Sequence, residues 1–156
     1  MSVEVGELAP AFALKDQNNQ DISLTSFRGK KSVLLVFYPL AFTRVCAGEL
    51  GALQDELPSF SNDQVQLLTV SVDSVFAHKV WAEQEGFDFP LLADFWPHGG
   101  VAQAYGVFDD RKGLALRGTF LIDIEGVVRY KVVNDIPNAR NLHEYTKAVA
   151  ELVSCA

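Results

Sequence analysis

The sequence predicts an α/β fold in which a mixed central sheet is flanked by helices, a three-layer sandwich with an N-terminal hairpin. Two apolar, β-branched runs, Val33-Leu34-Leu35-Val36-Phe37-Tyr38 and Val65-Gln66-Leu67-Leu68-Thr69-Val70-Ser71-Val72, read as strands buried on both faces, as parallel strands are. Each is followed by residues at helical spacing. The chain then offers an antiparallel hairpin and a last helix, an order that covers both faces of one sheet.

Taken in order, Phe12 and Leu14 alternate with their neighbours, a turn falls at Asn18-Asn19, and Ile22 and Leu24 complete a short hairpin that closes at Arg28-Gly29. Pro39 ends the first buried strand because it has no N–H for a neighbouring strand. Leu50, Leu53 and Leu57 then predict a helix that begins near Thr43. The second buried strand leads to a helix over Phe76 to Glu85, with Gly86 one past its end, where glycine is favoured. Leu91-Leu92-Ala93 predicts a short strand, and Gly100 to Tyr105 a short helix stopped by Gly106. Gly118 to Asp123 and Val127 to Val133 pair around Glu125-Gly126. A closing helix runs from Leu142 to about Val153, with Leu142, Tyr145, Val149 and Leu152 on one face. This order suits a thioredoxin-like fold. At 156 residues, without a repeat or linker, residues 1–156 are expected to form one domain.

Thirteen basic against twenty acidic residues give a formal charge of −7 and leave no basic stripe, which speaks against nucleic acid as a partner. The start, Met1-Ser2-Val3-Glu4-Val5-Gly6-Glu7, lacks the basic and apolar regions of a signal peptide. The longest apolar run, Val33 to Phe42, falls short of the roughly 20 residues that cross a bilayer. A soluble, cytoplasmic protein with no membrane partner is expected. Cys46 and Cys155 lie too far apart in sequence for a C-x-x-C pair or a zinc box, and a reducing compartment disfavours a permanent disulfide. His78, His98 and His143 are scattered without ligand spacing, so no metal is expected.

Cys46 stands out because it follows an apolar strand and opens a helix. With Thr43 as N-cap, Cys46 falls at the third helical position, where free N–H groups and the positive end of the macrodipole favour an anion. A thiol placed there loses its proton more easily.

The segment Pro39-x-x-x-Thr43-x-x-Cys46-x-x-Glu49 resembles the active-site signature of the peroxiredoxin family. Further segments are similar to the same family in the same order: Gly6-Glu7-Leu8-Ala9-Pro10-Ala11-Phe12, Val101-Ala102-Gln103-Ala104-Tyr105-Gly106-Val107 and Arg117-Gly118-Thr119-Phe120-Leu121-Ile122-Asp123. Phe37 to Thr43 and Asp94-Phe95-Trp96-Pro97-His98-Gly99 look nearest to its AhpE-like, one-cysteine group. The resemblance implies reduction of hydrogen peroxide, organic hydroperoxides and peroxynitrite by a cysteine thiolate, with no metal or organic cofactor. An unperturbed thiol is about 3% ionised at neutral pH, so a lowered pKa alone gains roughly thirtyfold. The remainder has to come from donors that meet the oxygen leaving group. By the resemblance, Cys46 is the peroxidatic residue, Arg117 supports thiolate and peroxide, and Thr43 with first-turn N–H groups binds the peroxide oxygens. Pro39 screens the sulfur, and Glu49, on nearly the same helical face as Cys46, orients Arg117.

Attack leaves Cys46 as a sulfenic acid that a second thiol must capture. Position 51 is Gly51, so the nearby resolving cysteine of the Q-type members is absent, and Cys155 lacks the Val-Cys-Pro setting of the two-cysteine members. An external thiol or a redoxin of the thioredoxin, mycoredoxin or glutaredoxin type is the expected reductant, and the resemblance suggests a homodimer or larger homo-oligomer.

Plainer roles stand beside these. Cys46 by itself fits a small buried hydrophobe, Thr43 a simple N-cap, Pro39 a strand terminator, Arg117 a surface residue and Glu49 a dipole partner. Trp81 fits the core, Phe95, Trp96 and Phe108 fit either core or an apolar collar near the thiol and a dimer contact, and Asp109-Asp110-Arg111-Lys112 fits a solvated loop. Two competing functions share the cysteine. One is a peroxide-sensing redox switch or interaction module; the other, a thiol-disulfide oxidoreductase, is disfavoured by Thr43 where a C-x-x-C pair needs cysteine.

Overall fold

The structure is a computed structural model that describes residues 2–154. Strands β1 (Ala13–Lys15) and β2 (Asp21–Ser23) form the expected N-terminal hairpin. Its turn is held by the Asp16 carboxylate, which accepts the N–H groups of Asn18 and Gln20, and Asn19 takes a left-handed conformation that asparagine tolerates. The hairpin does not extend through Leu24 as expected. Leu24–Phe27 instead forms a 3-10 turn, with the Ser26 hydroxyl bonded back to the Ser23 carbonyl.

Strand β3 (Ser32–Phe37) is buried along its whole length, as the apolar run predicts. After it come α1 (Arg44–Asp55) and a one-turn helix, α2 (Leu57–Phe60), where the sequence pattern suggested a single helix. The break at Glu56 follows from Pro58, which has no N–H for a continuing ladder but fits the first turn of a new helix. Strand β4 (Val65–Ser71) and α3 (Val75–Glu85) follow, the helix ending at a left-handed Gly86. Then come β5 (Leu91–Ala93) and α4 (Gly100–Ala104). Strands β6 (Phe108–Asp109) and β7 (Leu114–Ala115) make a small separate hairpin. Of the loop expected at 109–112, Asp109 belongs to β6 and the rest forms the hairpin's turn, with Asp110, Arg111 and Lys112 exposed. Strands β8 (Arg117–Ile122) and β9 (Val128–Asn134) and helix α5 (Leu142–Ser154) complete the described chain.

The main sheet has the order β2-β1-β5-β4-β3-β8-β9. Strands β3, β4 and β5 are parallel, and β8 and β9 extend the sheet in antiparallel fashion, so the sheet is mixed as expected. Successive residues of β3 point to opposite faces. Leu34 and Val36 join Leu50 and Leu53 of α1, Trp81 of α3 and Tyr145 and Val149 of α5. Val33, Leu35 and Phe37 join Phe12, Ala102 of α4, Tyr105 and Phe120 on the other side. Each large apolar side chain buried in this way contributes about 1.5–3 kcal/mol.

The register fixes where the site can be. In the antiparallel β3–β8 pair Val36 faces Thr119, so the end of β3 and the start of β8 lie at the same edge of the sheet. The loop that leads to Cys46 and the residue Arg117 therefore emerge side by side, although 71 positions separate them.

Candidate active site

The chain turns sharply between β3 and α1. Phe42 has φ of 68°, an uncommon value for a residue with a side chain, and Thr43 is the N-cap with extended backbone. The Thr43 hydroxyl does not cap the helix. It donates instead to the Leu40 carbonyl at 2.8 Å. Its one hydrogen is thus committed, and the oxygen presents only lone pairs to anything that enters. The first bond of the α1 ladder runs from the Ala47 N–H to the Thr43 carbonyl, which leaves the N–H groups of Arg44, Val45 and Cys46 ahead of it. Cys46 occupies the third helical position as predicted, and it is fully buried. Pro39 is buried just past the end of β3, while Thr43 is exposed.

Arg117 reaches the sulfur from β8. One terminal nitrogen, Nη1, donates to Cys46 Sγ at 3.3 Å and to Glu49 Oε1 at 2.6 Å, and Nε donates to the Ile136 carbonyl. Glu49 in turn is held by Arg140, which no sequence motif had marked. Arg140 donates from Nη2 to Oε1 at 2.9 Å, from Nε to Oε2 at 3.0 Å and from its backbone N–H to Oε2 at 2.7 Å. Its remaining nitrogen serves the Gly118 carbonyl and the Thr119 hydroxyl. All three charged side chains are buried, with 3%, 8% and 2% of Arg117, Glu49 and Arg140 exposed. Burial by itself pushes the Glu49 carboxyl up, but the hydrogen bonds and charge of Arg140, with the charge of Arg117, more than reverse this and hold it below the usual range. Two guanidinium groups against one carboxylate leave one positive charge in excess beside the sulfur.

A second buried network adjoins the loop. His78 Nε2 lies 2.7 Å from Ser71 Oγ and 3.2 Å from the Tyr38 hydroxyl, and Ser71 Oγ donates to Asp73 Oδ2 at 2.6 Å. That carboxylate oxygen accepts the Ala41 N–H at 2.8 Å. Burial brings the pKa of His78 down to about 4, while the Asp73 charge and the Leu91 carbonyl act in the opposite sense.

The structure thus brings together Cys46, Arg117 and Glu49, with Thr43 on the same helical turn and Pro39 at the strand end. Cys155 lies outside the described residues. Among these, no group of His, Cys, Asp and Glu is placed to hold a metal ion. Of the histidines, His78 is the buried one just described, and His98 and His143 are exposed. Trp81 is core, packed on Tyr38 and Phe87, whereas Phe95 and Trp96 are exposed. A cleft of about 650 Å³ opens at the opposite end of the sheet, among residues that include Lys30, Gln64 and Ile124, and contains none of these groups.

Residues 5–131 match the profile of the AhpC/TSA family. The chain belongs to that family. It is 50% identical over 152 residues to the alkyl hydroperoxide reductase E of Mycobacterium tuberculosis, covering 97% of this chain and 99% of that protein. To the thioredoxin peroxidase of Echinococcus granulosus it is 40% identical over 154 residues, covering 92% of this chain and 78% of that one. Among solved structures, the reduced 2-Cys peroxiredoxin of Plasmodium vivax superposes with a TM-score of 0.87 at 34% identity, over 97% of this chain and 83% of its own. The AhpC of Enterococcus faecalis superposes with a TM-score of 0.86 at 30% identity, over 97% and 92%. The peroxiredoxin resemblance and the thioredoxin-like fold read from the sequence are both borne out.

One pH dependence follows from the His78 network. Unfolded His78 takes up a proton near 6.5 and the folded residue near 4, so the unfolded chain gains protons first as the pH falls between these values. Stability present at neutral pH is then lost by up to about 3 kcal/mol through that window. Urea unfolding at pH 7 and pH 4.5 should show a larger acid loss in the wild type than in His78→Gln. Equal losses would contradict the assignment.

Proposed function

We propose that this chain is a thiol-dependent peroxidase of one peroxiredoxin domain, residues 1–156, in which Cys46 is the peroxidatic cysteine. Relatives across nearly the whole chain are named alkyl hydroperoxide reductase and thioredoxin peroxidase. Peroxide is the substrate and a thiol the reductant. The observation that carries the site assignment is the single Arg117 nitrogen shared by the Cys46 sulfur and the Glu49 carboxylate.

The thiolate attacks the terminal oxygen of ROOH. A sulfur–oxygen bond forms, the O–O bond breaks, Cys46 becomes Cys–SOH, and the oxygen that departs as RO⁻ takes up a proton to give ROH. Thr43 Oγ1, its hydrogen spent on Leu40, accepts from the peroxide O–H. Arg117 and the first-turn N–H groups meet the negative charge as it grows on the departing oxygen, where a fixed donor is worth about 3 kcal/mol. Glu49 and Arg140 keep Arg117 from turning away. Pro39 excludes water from the sulfur. Hydrogen peroxide, organic hydroperoxides and peroxynitrite all carry the O–O bond that this arrangement addresses.

The sulfenic acid then condenses with an external thiol to a mixed disulfide and water, and a second thiol releases Cys46. Because the sulfur is fully buried, the first turn of α1 has to open for this step. The sequence supports an external donor: position 51 is Gly51, and Cys155 lacks the Val-Cys-Pro setting of the two-cysteine members. The reductant is a small thiol or a redoxin of the thioredoxin, mycoredoxin or glutaredoxin type. We also assign a homodimer. Exposed Phe42, Phe76, Val80, Phe95 and Trp96 follow the carboxyl ends of three adjacent strands, β3, β4 and β5, and form an apolar set suited to a second copy. No helix among the described residues is long and apolar enough to cross a membrane, and a cytoplasmic location fits the thiol chemistry.

Stopped-flow mixing with hydrogen peroxide tests the reading. Cys46→Ser should abolish peroxide consumption, and Arg117→Ala should lower the second-order rate constant by about 10²-fold, the cost of losing an oxyanion-type donor. A wild type no faster than a small free thiol at the same pH would reject it. Mass spectrometry after one equivalent of peroxide should find Cys46 sulfenic and Cys155 free. A Cys46–Cys155 disulfide would overturn the external-thiol assignment.

A further inference from the structure

Asp73 touches neither the sulfur nor Arg117 through any hydrogen bond, yet its carboxylate reaches across to the loop that carries Thr43. Oδ2 accepts the Ala41 N–H at 2.8 Å, from a residue 32 positions away on a different crossover. The same oxygen accepts the Ser71 hydroxyl at 2.6 Å. With its single hydrogen given to Asp73, Ser71 can only accept from His78, so His78 Nε2 carries the proton and donates at 2.7 Å. Ser71 ends β4 and His78 sits in α3, both buried, so the acceptor offered to Ala41 is fixed by two rigid elements. The loop it holds needs holding. Phe42, next to Ala41, has φ of 68°, a conformation that a residue with a side chain leaves unless its surroundings enforce it.

We propose that Asp73 is a positioning residue for the peroxidase: its carboxylate clasps the Ala41 N–H and so fixes the turn that places Thr43 and the first turn of α1 around the sulfur. This rests on the function proposed above. A loop tie serving only to stabilise the fold would be felt equally throughout the catalytic cycle. The clasp is not neutral in that way. Attack on peroxide needs the turn closed, with Thr43 Oγ1 bonded to Leu40, whereas capture of the sulfenic acid needs the buried sulfur to come out. Releasing Ala41 should therefore slow the first half-reaction and speed the second.

The two half-reactions are measured separately by stopped flow on the full chain, the first with hydrogen peroxide and the second with 2-mercaptoethanol added to the sulfenic form. Asp73→Ala is expected to lower the peroxide rate constant by about tenfold or more, in keeping with the loss of precise positioning, and to raise the thiol rate constant severalfold. Asp73→Asn, which keeps an acceptor for Ala41, should recover most of both. Val128→Ala, a core change on β9 away from the loop, supplies a destabilised control in which the two rate constants do not move in opposite directions. If Asp73→Ala does not fold, Ser71→Ala keeps the carboxylate but removes the hydroxyl that orients it, and should shift the ratio of rates in the same direction by less. Rate constants that fall together, or that stay at wild-type values, would overturn the assignment of Asp73. A wild type that fails to outpace a free thiol would instead remove the peroxidase reading itself.

Discussion

A guanidinium group buried against a sulfur atom is the constraint around which this molecule is arranged. Arg117 is almost wholly out of water, and such a charge is costly unless its donors are met and its charge is answered. Glu49 answers it, but the same carboxylate also answers Arg140, so the cluster of three keeps one positive charge, and the sulfur lies within hydrogen-bond reach of it. The arrangement thus makes structural electrostatics and chemistry the same problem. When Cys46 is ionised the buried charges balance, and the nitrogen that steadies the thiolate already points to where an oxygen leaving group will carry its charge.

The fold meets this constraint by topology. Antiparallel pairing of β8 with β3 brings the start of one to the end of the other, which sets Arg117 beside the turn into α1. Glu49 lies three residues past Cys46, a little under one helical turn, and so shares its side of α1. Arg140 arrives from the segment before α5, and its bond to Thr119, whose hydroxyl also meets Tyr145 at 2.6 Å, ties that segment to the sheet. The price of such complete pairing is access for a bulky thiol, since Cys46 has no exposed surface while the turn is closed. The strained turn at Phe42, tied down at Ala41 and Thr43, is a suitable place for the structure to yield once those ties release.

Much of this was legible in the sequence because it rests on local pattern. Apolar runs with β-branched residues can hardly avoid becoming the central strands β3 and β4, and the proline after the first marks its end. Cys46 at the third helical position follows from the N-cap and leucine spacing alone, whereas Arg117 is marked only by the family resemblance of the string from Gly118 to Asp123 that follows it. Arg140 was not, because its partner Glu49 is 91 positions away and nothing in Pro137-Asn138-Ala139-Arg140-Asn141 signals burial. The direction of the Thr43 hydroxyl escaped for a related reason: an N-cap threonine can bond forward to the helix or back to the turn, and the turn decides. The two-residue strands β6 and β7 are too short to show a period, and the role of Asp73 appears only when two crossovers are brought together.

The account's central claim is that Glu49 and Arg140 act on the chemistry through Arg117. A double-mutant cycle on the peroxide rate constant tests this most directly, because residues that work as one unit do not give additive losses. Arg140→Met should slow the reaction by about tenfold in the wild-type background and change it less than about twofold once Arg117→Ala is present, the pattern of coupled residues. The same fold loss in both backgrounds would show that Arg140 works independently of Arg117, and would contradict the account.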